Sequence, residues 1–293
     1  MQTPLTLAYL GPEGSFCEQA ARCWITRQSA DFVLVACEDM AEIVTGVERG
    51  NFFQGIIPLE NSLEGSVSAS LELLGSGTPQ IQGEVVIPVS HHLIGRANGL
   101  QEVEVIYSHP HALAQCRQFL GVFWSKGRVE LTASTAQAAR RAAQEGPRAA
   151  AIASRLAAEI YGLNVIRENV EDARDNMTRF VVLGRGGVAP TGKDKTSLLV
   201  VPAANRPGAL FELLAPFAQA GIDLTRIESR PGKKRLGEYV FFIDCEGHCQ
   251  LPPLAPVLKE LEAKARSVRI LGSYPAWAAE GTVADSEGAS RPA

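Results

Sequence analysis

The 293-residue sequence predicts an α/β protein: two α/β lobes with a cleft between them, then a smaller unit ordered βαββαβ. Three observations carry this. Short apolar runs alternate with helix-period patterns through residues 5–184, the order expected of largely parallel sheets flanked by helices. The stretch GRGGVAPTGKDK at 184–195 is rich in Gly, Pro and Lys and reads as a linker. Beyond it, one compact set of strands and helices follows the ferredoxin-like plan. At roughly 150 residues per domain, the length agrees with about two domains.

In the first set, LTLAYL (5–10) reads as a buried strand and FCEQAARCWI (16–25) as a helix. FVLVAC (32–37) is a strand, MAEIVTGVERG (40–50) a helix ended by Gly50, FQGIIPLEN (53–61) a strand, and VSASLELL (67–74) helical. In the second set, EVVIPVSHHLIG (84–95) reads as one strand. VEVIYS (103–108) is a strand running into a helix at 109–120, with Pro110 near its start. RVELTAS (128–134) leads into a helix at 135–146, and RAAAIAS (148–154) into one at 155–163. TRFVVLG (178–184) is a return strand placed to rejoin the first lobe. After the linker come a strand at 196–201, a helix at 209–221, strands at 222–229 and 237–245, a helix at 254–265 and a strand at 267–274. The last residues, 277–293, are small and polar and are expected to be disordered.

Composition excludes several classes. With 46% hydrophobic and 20% charged residues, the chain has the make-up of a globular protein, long enough to need no disulfide or metal staple. A net charge of -4 without a Lys/Arg block argues against a nucleic-acid partner. The six cysteines form no CxxC pair, which fits reduced thiols. CEGHC (245–249) sets His248 between two thiols, but no second ligand pair at zinc spacing follows; a strand end and a turn is the simpler reading, with no metal. The start lacks a basic segment before an apolar one, and no apolar run approaches about 18 residues, so neither signal peptide nor membrane span is expected and the compartment is the cytoplasm. The dinucleotide, P-loop, nucleophile-elbow and zinc-protease motifs do not occur.

In open α/β sheets, ligands collect where strands end and helices begin. LGPEGSF puts Ser15 at such a junction, IPLENSLEGSV puts Glu60, Asn61 and Ser62, YSHPHALAQC puts Ser108 and Gln115, and LTASTAQ puts Ser134 and Thr135. These junctions offer hydroxyls, amides and free backbone N–H groups, with few cations. Helix starts attract anions through unpaired N–H groups and the helix dipole, so several around one cleft suit a small mono- or dicarboxylate. The same residues are also ordinary N-caps, worth about 1 kcal/mol each. His109 and His111 flank Pro110 as bases or as cap residues; His91 and His92 fall on opposite faces, which buries one of them. DNMTRF (175–180) sets a Thr-Arg pair where a polar loop becomes a strand. Alternation puts Thr178 and Phe180 on one face and Arg179 on the other. Thr178 is either a strand-end cap or a hydroxyl with a chemical task.

Read together, GPEGSFCEQAA (11–21), IPLENSLEGSV (57–67), SHPHALAQCRQFL (108–120), VEDARDNMTRF (170–180), NRPGALFELL (205–214) and IESRPGKKRLGEYVFFID (227–244) resemble the prephenate dehydratase family in order and over nearly residues 4–275. The resemblance implies a two-lobed, periplasmic-binding-protein-like catalytic domain over 1–186, a linker at 187–195, a phenylalanine-sensing ACT domain over 196–276 and a tail at 277–293. With no chorismate mutase segment before Gly11, the chain reads as monofunctional. It also implies cofactor-free conversion of prephenate to phenylpyruvate, water and carbon dioxide, with Thr178 as the principal catalytic residue. Asn61, Ser108 and Gln115 are implied to line the substrate cleft, with Ser15, Glu60, Ser62, Arg179 and Phe180 as further contacts. Four positions depart from the family's pattern: Ser15 stands for Thr, Cys17 for Ser, His111 for Gln and Ala173 for Asn.

The chemistry agrees with neutral donors. Loss of carbon dioxide and hydroxide makes the ring aromatic and is strongly downhill. The protein must hold the ring carboxylate in a poorly solvated place and give a hydrogen bond or proton to the leaving hydroxyl. Thr178 is the expected donor, and Glu60 or Glu64 is the alternative acid. In the ACT unit, phenylalanine binding is expected between paired copies, from Asn205, Pro207, Gly208, Ala209 and Leu210 together with Glu228, Ser229, Arg230 and Pro231. That makes a homodimer or homotetramer the expected assembly. A chain cut near Lys193 is expected to stay active without a phenylalanine response. Two other functions fit the same pattern: arogenate dehydratase, and a non-catalytic two-lobed ligand sensor.

Overall fold

A computed structural model describes residues 4–125, 127–232 and 239–278. The first lobe runs β1 (Leu5–Leu10), α1 (Phe16–Ile25), β2 (Phe32–Cys37), α2 (Met40–Arg49), β3 (Gln54–Asn61), a short β4 (Gly65–Ser66), α3 (Ser68–Ser76) and β5 (Gln80–Pro88). The second runs β6 (His92–Gly95), a 3₁₀ turn at Leu100–Glu102, β7 (Val105–Ser108), α4 (Pro110–Gln115), α5 (Arg117–Phe123), β8 (Arg128–Leu131), α6 (Thr135–Glu145), β9 (Ala149–Ala153), α7 (Arg155–Tyr161) and β10 (Asn164–Arg167). β11 (Met177–Gly184) returns to the first lobe, whose sheet is ordered β2-β1-β3-β11-β5 with β4 at the edge of β3. The second sheet is ordered β10-β6-β9-β7-β8. The third unit is β12 (Asp194–Pro202), α8 (Ala209–Gln219), β13 (Leu224–Pro231), β14 (Tyr239–Glu246), α9 (Leu254–Lys264) and β15 (Ala265–Pro275), an antiparallel sheet ordered β13-β14-β12-β15.

Two sequence expectations change. The single strand expected at 84–95 is two strands in different sheets, β5 and β6, because Val89–His91 carries the chain across to the second lobe. Residues 168–176 carry it back. The two crossings are tied together: Val89 N–H donates to Asn176 O at 2.8 Å and Val170 N–H to His91 O at 2.8 Å. The helix expected at 109–120 breaks at Cys116, whose φ of -120° and ψ of 27° end α4 and start α5.

Four helix starts carry Ser or Asp caps. Ser15, Asp39, Ser134 and Ser154 each accept a backbone N–H three residues on, at 3.2, 2.8, 3.0 and 3.1 Å. Alternation along β11 buries both of its faces. Phe180 and Val182 pack with Leu7, Tyr9, Ile56, Ala20 and Ala21, under α1. Val181 and Leu183 face the other way, in one core with Ile57, Leu59, Leu71 and Ile81 and with Phe242, Leu271 and Tyr274 of the third unit. The core therefore crosses the linker. At Gly272 the backbones of β15 and β5 meet so closely that a Cβ would stand 2.2 Å from Ile81 O. Trp277, expected in a disordered tail, instead lies under the Arg27 guanidinium at 3.5 Å and donates its N–H to Glu84 Oε1 at 2.8 Å. Residues 279–293 of that tail lie outside the described residues, as do 237–238 of the strand expected at 237–245. Among the described residues, no helix is long and apolar enough to cross a membrane.

Candidate active site

A cavity of about 350 Å³ lies between the two lobes. Three helix starts wall it: Ser15, Phe16 and Cys17 at α1, His109, His111 and Ala112 at α4, and Ser134 and Thr135 at α6. Asn61 closes it from the end of β3, Asn176, Thr178 and Phe180 from β11 and its approach, and His91 and Val89 from the crossing. Among the described residues, no Lys or Arg lines it and Glu64 is its one carboxylate. An anion held here meets helix starts and amide donors.

Strand register sets the centre of the site. β3 and β11 run antiparallel, with Thr178 opposite Asn61 and Arg179 opposite Glu60. Neighbouring residues point to opposite faces, so the Thr178–Asn61 pair meets the cavity and the Arg179–Glu60 pair does not. Asn61 Nδ2 donates to Thr178 Oγ1 at 2.9 Å and to Asn176 Oδ1 at 2.6 Å. Asn61 Oδ1 accepts Leu63 N–H and Glu64 N–H, both at 3.0 Å. Asn176 Nδ2 donates to Gln115 Oε1 at 3.0 Å, and His91 Nε2 lies 3.2 Å from that same oxygen. Gln115 Nε2 donates to Glu64 Oε1 at 2.8 Å, and His111 Nδ1 lies 2.5 Å from Glu64 Oε2. Burial lowers the pKa of His91 more than Gln115 and Glu171 raise it, so its neutral form is favoured. Desolvation, with His111 beside it, likewise lowers His109.

The structure thus brings Thr178, Asn61, Gln115, Ser15 and Phe180 to one cavity. It places four expected contacts elsewhere. Ser108 is fully buried behind β7 and donates to Ile152 O at 2.7 Å. Ser62 holds the 175–177 turn, donating to Asp175 O at 3.2 Å and accepting Met177 N–H at 2.9 Å. Arg179 turns toward the third unit: its guanidinium bonds Asp244 at 2.7 Å and Tyr274 OH at 2.8 Å there, and Glu84 at 2.6 Å and Glu60 at 3.3 Å of its own sheet. Glu60 also takes Arg226 at 3.0 Å. Burial alone would lower the Arg179 pKa; Tyr274, Asp244 and Glu84 outweigh it and raise it. Held by two arginines on the far face, Glu60 is not placed to act as the acid. Asn176 and His91 were not among the expected contacts. The Asn sits two residues before Thr178, on the same face by alternation, which is the signal that identifies it.

Residues 7–187 match the prephenate dehydratase family and residues 197–263 the ACT domain family. The chain belongs to the prephenate dehydratase family. A prephenate dehydratase of Amycolatopsis methanolica is 43% identical over 97% of this chain and 92% of its own length. The solved structure of a prephenate dehydratase from Arthrobacter aurescens in complex with L-Phe is 35% identical, covers 92% of this chain and 90% of that one, and superposes with a TM-score of 0.83. A structure described as GqqA, a quorum-quenching acylase, is 34% identical over 93% of this chain and 98% of its own, with a TM-score of 0.82.

In the ACT unit the expected phenylalanine contacts divide between two cavities. Asn205, Gly208, Ala209 and Leu210 line one of about 300 Å³, and Gly208 starts α8 with a φ of 82° that favours glycine. Pro207 lies in the same turn. Arg230 and Pro231 line another of about 420 Å³ between α3 and the ACT sheet. Glu228 and Ser229 precede them on β13, and Glu228 is bound by Arg226 at 2.5 Å and Arg230 at 2.6 Å. Burial would raise the Glu228 carboxyl; its hydrogen bonds and these two arginines hold it below the usual range. Among the described residues, these two cavities share no lining residue.

Proposed function

We propose that this cleft carries out the family's reaction on prephenate, with Thr178 as the donor to the departing hydroxyl. The observation that carries the reading is the Thr178 hydroxyl: on the cavity wall it accepts the Asn61 amide, and among the described residues its own O–H has no acceptor. That O–H is left to bond the C4 oxygen of bound prephenate. The helix starts of α1 and α6 hold the two carboxylates. As the carboxylate bond breaks, its electron pair enters the ring, the C4–O bond cleaves, and carbon dioxide and hydroxide leave. Thr178 stabilises the oxygen as it gains charge, and solvent supplies the proton that makes it water. A positioned donor contributes about 10²–10⁴-fold; orientation and exclusion of water supply the rest.

Acyl-amide cleavage, the activity in the acylase relative's description, requires an activated nucleophile. Ser15 and Cys17 are poorly placed for that. Ser15 donates to Leu10 O at 3.1 Å and caps α1, and burial pushes the Cys17 thiol up to about 12. The test is a three-substrate assay with prephenate, arogenate and an N-acyl amide. Phenylpyruvate from prephenate is the expected product. Phenylalanine from arogenate alone would reassign the substrate, and turnover of neither would end the reading.

Residues 1–186 form the catalytic unit in this account and 196–276 the ACT unit, which takes phenylalanine as effector. Joining the two groups of ACT contacts requires a second copy, and a homodimer or homotetramer supplies one. Phe211 (73% exposed), Ile227 (45%) and Tyr239 (44%) give that surface apolar area to bury. The six free cysteines agree with a cytoplasmic location.

A further inference from the structure

The hydrogen bonds around Thr178 form a chain whose direction is fixed at both ends. At one end, Leu63 and Glu64 N–H can only donate, so the oxygen of the Asn61 amide must face them at 3.0 Å. Asn61 Nδ2 then faces Thr178 and Asn176. At the other end the Glu64 carboxylate accepts, so the nitrogen of the Gln115 amide faces it, and Gln115 Oε1 faces Asn176 and His91. Asn176 fits between them in one orientation only: Oδ1 toward Asn61, Nδ2 toward Gln115. His91, at Gln115 Oε1, must carry its proton on Nε2. Its Nδ1 is then a bare lone pair, and that atom is buried without a hydrogen-bond partner.

The chain spans the cleft. Asn61 and Thr178 belong to the first lobe, Gln115 to the second, and Asn176 and His91 lie on the two crossings between them. Both crossing residues are nearly fully buried, at 1% and 3% exposure. Turning either amide over would set two donors or two acceptors against each other, so the network holds the Thr178 hydroxyl as an acceptor toward Asn61 and a donor toward the cavity.

We infer that Asn176 and His91 are positioning residues that register the two lobes and fix the Thr178 O–H as a donor for the leaving group. The inference rests on the dehydratase reading of the same cleft. The test scores turnover as ratios to wild type and reads the His91 tautomer by ¹⁵N NMR in the resting protein, without substrate. Wild-type turnover judges the reading; the tautomer judges the network even in a protein inert toward prephenate. Wild type is expected to show the Nε2–H tautomer with a bare Nδ1. Asn176→Asp keeps the shape but removes the donor to Gln115, so kcat should fall on the order of 10²-fold with KM within about threefold, and the His91 signal should leave the wild-type tautomer. His91→Gln restores an N–H near the Nε2 position and His91→Leu does not, so Gln should keep kcat at least about tenfold above Leu. A wild-type Nδ1–H tautomer overturns the proposal. So do equal rates in the Gln and Leu variants, or near-normal kcat with an unmoved His91 signal in Asn176→Asp.

Discussion

At the scale of single residues, Thr178 and Asn61 stand opposite each other because two antiparallel strands meet there in register, which sets a hydroxyl beside an amide on the cavity wall. Both were legible as polar residues at strand ends. Arg179 was not: its neighbour's family role drew it into the site, while alternation had already assigned it to the other face. Ser108 lies outside the cavity for a different reason: a strand-end hydroxyl can satisfy a buried carbonyl as readily as meet a ligand. His91 has a thermodynamic consequence. Desolvation, only partly countered by Gln115, Glu171 and Glu64 and reinforced by His92, holds its folded pKa below the ordinary 6.5. As pH falls through the unfolded value, the unfolded chain takes up a proton that the folded one refuses. Stability is therefore full above about pH 6.5 and is lost below it, by up to about 1.4 kcal/mol per pH unit, until the folded pKa is reached. His92 and His109 are depressed too and act in the same direction. Denaturant unfolding of wild type and His91→Gln at pH 7.5 and 5.5 isolates the His91 share: wild type should lose more stability on acidification than the variant, and equal losses would remove His91 from the account.

At the scale of elements, the helices were the most legible. α1 occupies the residues its apolar period and Ser15 cap mark out, and α2 stops at Gly50, whose φ is 78°. What periodicity could not reveal was which sheet a strand joins. In EVVIPVSHHLIG the local signals of the passage are Pro88, Ser90 and His91, which interrupt an otherwise apolar run; they mark a break but not that the next strand joins another sheet. The break at Cys116 was hidden similarly. Its amide still bonds back to Leu113 O at 3.2 Å, while Gln115 O accepts Asp172 N–H at 2.6 Å, a contact from 57 residues away that no local pattern carries. β11 shows the rule in reverse: its period of two divides the chemistry cleanly, cavity and α1 on one face, ACT unit on the other.

For the whole molecule, the linker is a boundary in the chain but not in the core. Phe242, Leu271 and Tyr274 of the ACT unit complete the hydrophobic face behind Val181 and Leu183. Arg179, Arg226 and Lys195 balance Glu60, Glu84 and Asp244 across the same contact, three cations to three carboxylates. The linker expected at 187–195 includes Asp194 and Lys195, which lie in β12, and composition holds no sign of what packs across it. A chain cut near Lys193, expected to stay active, would lose this contact. The cut would strip Asp244 and Tyr274 from the buried Arg179, and removing a partner from a buried ion pair costs about 3–5 kcal/mol. Thermal unfolding should show the truncated chain with a clearly lower Tm than the full chain, and equal Tm values would mean that the catalytic lobes are self-sufficient. The same contact puts Arg179 and Glu60 of the ACT-facing layer directly beside Thr178 and Asn61 of the cavity-facing one. The most direct test of the account is turnover and binding of prephenate by Thr178→Ser and Thr178→Val. The serine variant, which keeps the hydroxyl, should retain most of the wild-type kcat. The valine variant should lose at least about 10²-fold in kcat while binding prephenate with little change in Kd. Near-normal turnover by the valine variant would contradict the account.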